Sequence, residues 1–241
     1  MSGIEQADQT PGKYKFSVII PVLDEQERIN TCIEQTLSLC PAGTCEIIVV
    51  DADPNGSTIN AIKSDGIVST ISEHGRAKQM NAGAALARGE VIVFLHADTQ
   101  LPMGTFEYIE EALSNTEYVA GAFDLVIDST NCLLRFIAAS ARMRSRLTRI
   151  PYGDQAIFMR KEYFEKIGGF KEIPLMEDVE LMRRIKKRGD KICLLSNQVL
   201  TSARRWEKEG VVFTIFRNLV IQSLYYLGAK PSKLSKYYRR H

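Results

Sequence analysis

The sequence predicts an α/β protein, a single domain with a mostly parallel central sheet flanked by helices. Three observations carry that expectation. Short apolar, β-branched runs alternate with amphipathic stretches through the first half of the chain. The runs are apolar on both faces, as buried parallel strands are. Several stop at acidic residues, and such sheets bind ligands beyond the carboxyl ends of their strands. The chain has 241 residues, enough for one sizeable core, with no internal repeat or Pro/Ser-rich linker to divide it.

The elements follow in order. Residues 1–14 lack an apolar run and are expected to form a flexible tail, with the domain proper over 15–210. FSVIIPV (16–22) is the first strand. In the helix that follows, Ile29, Ile33 and Leu37 recur every four residues and predict one buried stripe. EIIVVD closes a second strand at Asp51, ahead of a turn-rich loop. IVSTI (67–71) is a third strand. Residues 76–88 are Ala-rich and predict a helix, and VIVFLHAD (91–98) is a strand ending in polar residues. Phe106, Ile109 and Leu113 mark another helix. YVAGAFDLVI and QAIFMR read as strands on either side of an Arg-rich helical stretch. EDVELMRRIKKRG predicts a helix with Val179, Met182 and Ile185 inward, closed by Gly189. Residues 211–241 are expected to be an amphipathic helix and a basic tail.

Composition narrows the classes. Hydrophobic residues at 45% and charged residues at 25% exclude a disordered or low-complexity chain. The net charge of +2 gives no general pull towards nucleic acid. Five scattered cysteines without a Cys-x-x-Cys pair argue against a zinc ribbon or disulfide framework and fit a reduced, cytoplasmic setting. No uninterrupted apolar run of about 18 residues offers a bilayer-spanning helix.

Four polar clusters carry the chemistry: Asp24-Glu25, Asp51-Ala52-Asp53, His96-Ala97-Asp98 and Glu177-Asp178. Carboxylates at adjoining strand ends can bind ribose hydroxyls, a base edge, or a divalent cation that neutralises a diphosphate. Acids at strand-to-helix junctions also serve as helix caps.

These clusters sit in a longer ordered set: SVIIPVLDE, EIIVVDADPNGST, GRAKQMNAGAALARGEVIVFLHADT, YGDQAIFMRKEYFEKIGGF, PLMEDVELMRRIKKRG and SARRW, over residues 16 to about 206. The set resembles the family 2 glycosyltransferases, whose fold is GT-A, a Rossmann-like sheet, and in particular small bacterial members that carry LHADT and RRWEK. The resemblance implies donor-binding roles for Pro21, Asp24 and Glu25 in the nucleotide-recognition loop. It implies base and ribose contacts for Asp51 and Asp53. Arg76, Gln79, Asn81 and Gly83 would flank the nucleotide sugar. His96, Ala97 and Asp98 match the metal motif, with Asp98 as direct ligand of Mn²⁺ or Mg²⁺ and Asp178 of the Glu177-Asp178 pair as general base. Arg205 and Trp206 match the end of a Gln-x-x-Arg-Trp motif.

Two departures matter. His96 replaces the first Asp of the metal motif, where imidazole suits Mn²⁺ better than Mg²⁺. Ser202 stands where the Gln of the longer motif would be, which argues against processive synthesis. The expected activity is inverting transfer from a nucleotide sugar, UDP-linked, to an acceptor hydroxyl. An ionised phosphate acceptor needs no base, so the retained Glu177-Asp178 favours an alcohol. A non-catalytic nucleotide-sugar-binding protein is the competing reading. A sugar-1-phosphate nucleotidyltransferase lacks support, because PVLDEQERIN has no Gly-rich basic loop.

Two basic stretches remain. Arg135, Arg142, Arg144, Arg146 and Arg149 lie in an acid-free segment that could line an acceptor cleft for an anionic or lipid-linked acceptor. VVFTIFRNLVIQSLYYLG followed by Lys230, Lys233, Lys236, Arg239 and Arg240 could lie on an anionic membrane, cover the sheet, or meet a homodimer partner.

Overall fold

The computed structural model describes residues 14–238. The expected N-terminal tail, apart from Tyr14, and Arg239 and Arg240 lie outside the described residues. The strands are β1 (Phe16–Val22), β2 (Cys45–Asp51), β3 (Val68–Ile71), β4 (Val91–Phe94), β5 (Thr99–Gln100), β6 (Tyr118–Asp128), β7 (Phe158–Arg160) and β8 (Lys191–Ser202). They form one sheet in the order β3-β2-β1-β4-β7-β6-β8-β5. β1, β2, β3 and β4 run parallel, as do β6 and β8. β7 is antiparallel to both β4 and β6, and β5 to β8, so the sheet is mixed.

The helices are α1 (Ile29–Leu39), α2 (Arg76–Leu86), α3 (Thr105–Ser114), α4 (Cys132–Thr148), α5 (Lys161–Lys166), α6 (Glu177–Lys187), α7 (Arg204–Glu209), α8 (Val211–Tyr226) and α9 (Pro231–Leu234). Strand side chains alternate between faces, so each parallel strand feeds two cores. Ile19, Ile48 and Val50 meet Met80 and Ala84 of α2 and Val179, Met182 and Ile185 of α6. Val18, Ile20 and Val49 meet Ile29 and Ile33 of α1 and Phe106, Ile109 and Leu113 of α3. Gly83 lets α2 lie close to the sheet, since a Cβ there would stand 2.5 Å from Ile19 Cγ2. The α1 stripe differs from expectation. Cys32 and Thr36 are buried and Leu37 is exposed, because the helix starts only at Ile29 and packs along its 29-32-33-36 line.

The carboxyl ends of β1, β2 and β4 open on the same edge. Val22 pairs with Asp51, and Ile19 pairs with Phe94, so the loops that follow these strands emerge side by side. Phe170 rests on the Phe94 ring at 4.9 Å and anchors the segment that runs into α6 at this edge.

Candidate active site

Three loops meet at the β-strand edge, and each is bent by a non-glycine residue in the left-handed region. Asp24 (φ 56°) follows β1, Ala156 (φ 46°) follows the turn at 153–155, and Met176 (φ 65°) precedes α6. Asp tolerates this region, whereas Met and Ala pay for it, and such strain concentrates where a loop must aim side chains. The Met176 turn starts α6 at Glu177 and Asp178, so both acids stand at a helix N-terminus, where the helix dipole stabilises their charge.

Asp178 is where distant segments converge. Its Oδ2 accepts a hydrogen bond from the Gly153 amide at 2.7 Å, and its Oδ1 accepts from Val179 N at 2.7 Å. A Cβ on Gly153 would lie 3.4 Å from both Asp178 Oδ2 and His96 Nε2. The loop after β4, the 153–155 turn and the start of α6 therefore touch one small space. Arg76, the first residue of α2, is open to solvent yet walled by protein on most sides. That burial works against its charge, while Tyr238, Glu177, Asp98 and Asp178 act on it together and hold its pKa above the usual arginine value. Burial and the charge of Arg76 push the His96 pKa down to about 3, against the pull of Asp98. His96 thus stands as a neutral imidazole with a lone pair to offer.

The acids differ in what they have left to bind with. Asp51 is fully buried. Its Oδ1 accepts from Asp53 N, and its Oδ2 accepts from Thr58 N and Ile59 N, at 2.8–3.3 Å. It holds the loop, and Asp53 is left as the half-exposed member of the pair. Asp53 accepts from Asn55 N and Ser57 N, and the Ser57 and Asn55 hydrogen bonds lower its pKa. Asp98 is half-buried. Among the described residues only the Thr99 hydroxyl, at 3.5 Å, is bonded to its carboxylate, while its carbonyl accepts from Ser202 N. Glu25 is ion-paired to Arg204 at 2.7 Å, with its amide on Thr58 Oγ1, and ties the β1 loop to the β2 loop and α7. Asp24 is exposed and Pro21 half-exposed beside it.

Some residues expected against the donor also serve the scaffold. Gln79 Nε2 donates to the carbonyls of Val22 and Val50 and stitches the ends of β1 and β2. Asn81 exchanges two hydrogen bonds with the Phe170 backbone at 2.8 and 2.9 Å. Gly83 serves the close packing of α2, Ala97 packs on the core beneath the sheet edge, and Trp206 packs on the small cluster of Ile127, Leu134, Ala138 and Ala203. Gln79 and Asn81 share one physical reason. Their polar groups lie under the sheet ends, where an unpaired amide would be costly, so neighbouring carbonyls claim them. Arg205 donates to the Tyr238 hydroxyl and pairs with Glu209 at 3.4 Å.

Sequence reasoning passed over Asp154. It follows Gly153 in the turn, half-buried, and responds to Asp178, Asp98, Arg76 and Arg144. Its neighbour Gln155 is fully buried between Ser145 Oγ and the Phe123 carbonyl, which pins the turn to α4 and β6. Arg144 stacks on Tyr152 with its guanidinium carbon 3.4 Å from the ring centre. The signal was available in YGDQ, an acid directly after a Gly at the close of the arginine-rich helix.

Burial pushes the Asp154 carboxyl up to about 6. Arg144 and Arg76 oppose the rise, and Asp178 and Asp98 add to it. The folded protein therefore holds this proton more tightly than the unfolded chain does. The ionised form costs stability, and that cost grows as pH rises from about 4 through about 6. Asp154→Asn should be more stable than the wild type by about 2–3 kcal/mol above pH 7, with the difference vanishing below about pH 4. Urea unfolding across that range checks it, and curves that stay parallel would refute the assignment.

Among the described residues no three His, Cys, Asp or Glu side chains stand close enough to hold a metal by themselves. Asp98 and neutral His96 offer two donors beside the Arg76 guanidinium, which suits a cation whose remaining ligands come from a bound anion. A hollow of about 300 Å³ opens beside Asp98, between α1 and β8. A larger one, about 670 Å³, lies between α6 and Tyr225 of α8. It holds none of the converging acids, and the first holds Asp98 without Asp178, His96 or Arg76, so neither hollow encloses the whole group.

Known proteins carry the same frame. The family model for glycosyl transferase family 2 matches residues 17–168. The chain is 29% identical over 227 residues to the probable glycosyltransferase YdaM of Bacillus subtilis, covering 84% of this chain and 52% of that one. It is 32% identical over 120 residues to an undecaprenyl-phosphate 4-deoxy-4-formamido-L-arabinose transferase of Pectobacterium carotovorum, covering 46% and 35%. The mannosyltransferase PcManGT of Pyrobaculum calidifontis, solved with GDP-Man and Mn²⁺, superposes with a TM-score of 0.61 at 20% identity, over 79% of this chain and 58% of that one. The chain spans about half the length of YdaM and about a third of the arabinose transferase. With the sheet, the acid-lined edge and a family match over most of the core in agreement, this chain belongs to glycosyl transferase family 2.

Proposed function

We propose that the protein transfers a sugar, with inversion, from a nucleoside diphosphate sugar to an acceptor hydroxyl, with Asp178 as general base. The convergence of Asp178, His96 and Gly153 on one space, with Asp98 and Arg76 beside it, carries this reading. Asp53, Asp24 and Pro21 are the open groups of the strand-end loops and would meet the nucleoside. Arg76 would face the diphosphate. Arg205, occupied by Tyr238 and Glu209, could reach it only by exchanging partners.

Asp98, with His96 beside it, would hold a divalent cation, which when bound supplies positive charge against the departing diphosphate. The Mn²⁺ of the Pyrobaculum structure and the neutral imidazole both favour Mn²⁺ over Mg²⁺. Asp178 would take the acceptor proton as the oxygen attacks the face opposite the leaving group. The Gly153 amide holds its carboxylate in one orientation. The arabinose transferase is named for a polyprenyl phosphate acceptor, which would not need that base. An alcohol, free or lipid-borne, is the acceptor that gives Asp178 a task.

A thermal-shift panel of nucleotide sugars with and without Mn²⁺ tests the donor side. At saturations near one hundred times Kd, the right donor should stabilise the fold by about 2.7 kcal/mol, several degrees in Tm, and the shift should need Mn²⁺. The panel sets the uridine expected from the resemblance against guanosine. No shift with any nucleotide sugar would remove the reading.

A further inference from the structure

Helix α8 is turned inside out. Its buried line is Thr214, Arg217 and Ile221, and Arg217 is ion-paired to Glu209 at 2.6 Å beneath the surface. Its outward residues include Phe213, Phe216 and Leu219, which are 61, 69 and 56% exposed. Helix α4 repeats the pattern. Leu134, Ala138 and Ser145 face inward, while Phe136, Met143 and Leu147 are 71, 65 and 77% exposed. Their spacing of seven and four places them on one side of the helix. The two helices approach at one end, since Trp206 of α7 and Val211 at the start of α8 pack against the cluster that holds Leu134 and Ala138. A soluble monomer rarely leaves so many large apolar side chains uncovered.

Within α4 and from α8 onward the charges have one sign, with exposed Asp128 and Glu207 at their edges. The sequence has no Asp or Glu between Asp128 and Asp154, and none after Glu209. Arg135 and Arg149 are exposed on and just after α4, as are Lys230, Lys233 and Lys236 beyond α8. A symmetric contact between two copies would bring like charges together around the apolar centre. An anionic bilayer meets both features at once, with apolar side chains at the headgroup boundary and cations on the headgroups. We propose that the α4–α8 face docks the protein on the surface of an anionic membrane. The arginine-rich helix, expected to line the acceptor cleft, then serves mainly as part of this docking face. Only Arg144 turns to the site. Arg142 donates to the Leu125 carbonyl, Arg146 pairs with Asp124 and Arg149 reaches the Ile192 carbonyl.

Docking also orients the cleft. Tyr225 of α8 and Tyr152, the residue before Gly153, pack on the same core cluster, so α8 ends near the turn that holds Asp178. A lipid-borne alcohol would arrive there, a consequence that rests on the proposed transfer; the docking itself does not.

Flotation of the full chain with phosphatidylcholine vesicles, with and without phosphatidylglycerol, tests the proposal without any sugar donor. The chain should float at least about tenfold more with the anionic vesicles and lose most of that in about 0.5 M NaCl. The pair Phe213→Ser/Phe216→Ser, and separately Phe136→Ser/Met143→Ser, should each cut flotation by about tenfold with unchanged circular dichroism. Changing Lys230, Lys233 and Lys236 to Glu should abolish the preference for anionic lipid. Wild type that stays unbound to both vesicles, or light scattering that shows a dimer in place of binding, would overturn it. Equal flotation with neutral lipid would overturn the charge argument. Flotation without sugar transfer would leave docking standing and remove only the catalytic reading.

Discussion

Asp178→Asn should lower turnover by about 10²–10⁴-fold while leaving nucleotide-sugar binding within about twofold. The change is nearly isosteric. The amide oxygen of Asn can still accept from Gly153 N, now at 2.7 Å from Oδ2, so the 153–155 turn should keep its place. What is lost is the capacity to take a proton, together with the second acceptor, which Val179 N uses in the wild type. A purely structural use of this acid, stabilising the start of α6, predicts a different outcome. Removing one charge at a helix N-terminus costs about 0.3–1 kcal/mol of stability and should leave turnover nearly intact in the folded fraction. Single-turnover rates with donor bound, read beside an unfolding curve, separate the two. Unchanged turnover would remove Asp178 as the base.

Asp98→Ala should abolish the Mn²⁺-dependent part of donor binding and lower donor hydrolysis by about 10²–10³-fold. The apoprotein should lose less than about 0.5 kcal/mol. The backbone carbonyl of Asp98, which holds Ser202 N at 3.0 Å, is untouched by the substitution, and Thr99 keeps its contact with Thr201. Asp51 makes the contrast. Its carboxylate is filled by three backbone amides, so its loss would show in stability and loop order before it showed in metal response. A variant at Asp98 that still needs Mn²⁺ for donor binding would move the cation site elsewhere.

Some of the chain was legible because the cause is local. β1 and β2 are runs of apolar, β-branched residues buried on both faces, and the 106-109-113 and 179-182-185 spacings mark helix faces that the structure buries. β8 was not recognised. Its burial alternates irregularly, and its pairing with β6 shifts register between Ala122 and Asp124, so no period-2 pattern reaches the sequence. The leftward bias of the α1 stripe, from Leu37 to Thr36, depends on where the helix begins, which a four-residue repeat does not say.

The sequence by itself determined the layered α/β frame, the family and the set of strand-end acids, because hydrophobic period and strand ends are written in consecutive residues. Only the tertiary structure decided which of those polar groups remain open. Gln79, Asn81 and Asp51 are claimed by backbone partners beneath the sheet edge, while Asp98 keeps a carboxylate nearly free and Asp154 joins Asp178 through the turn at Gly153. That choice rests on contacts between segments tens of residues apart. A buried polar atom takes whichever partner the packed fold brings within reach, and chain order does not record which one that is.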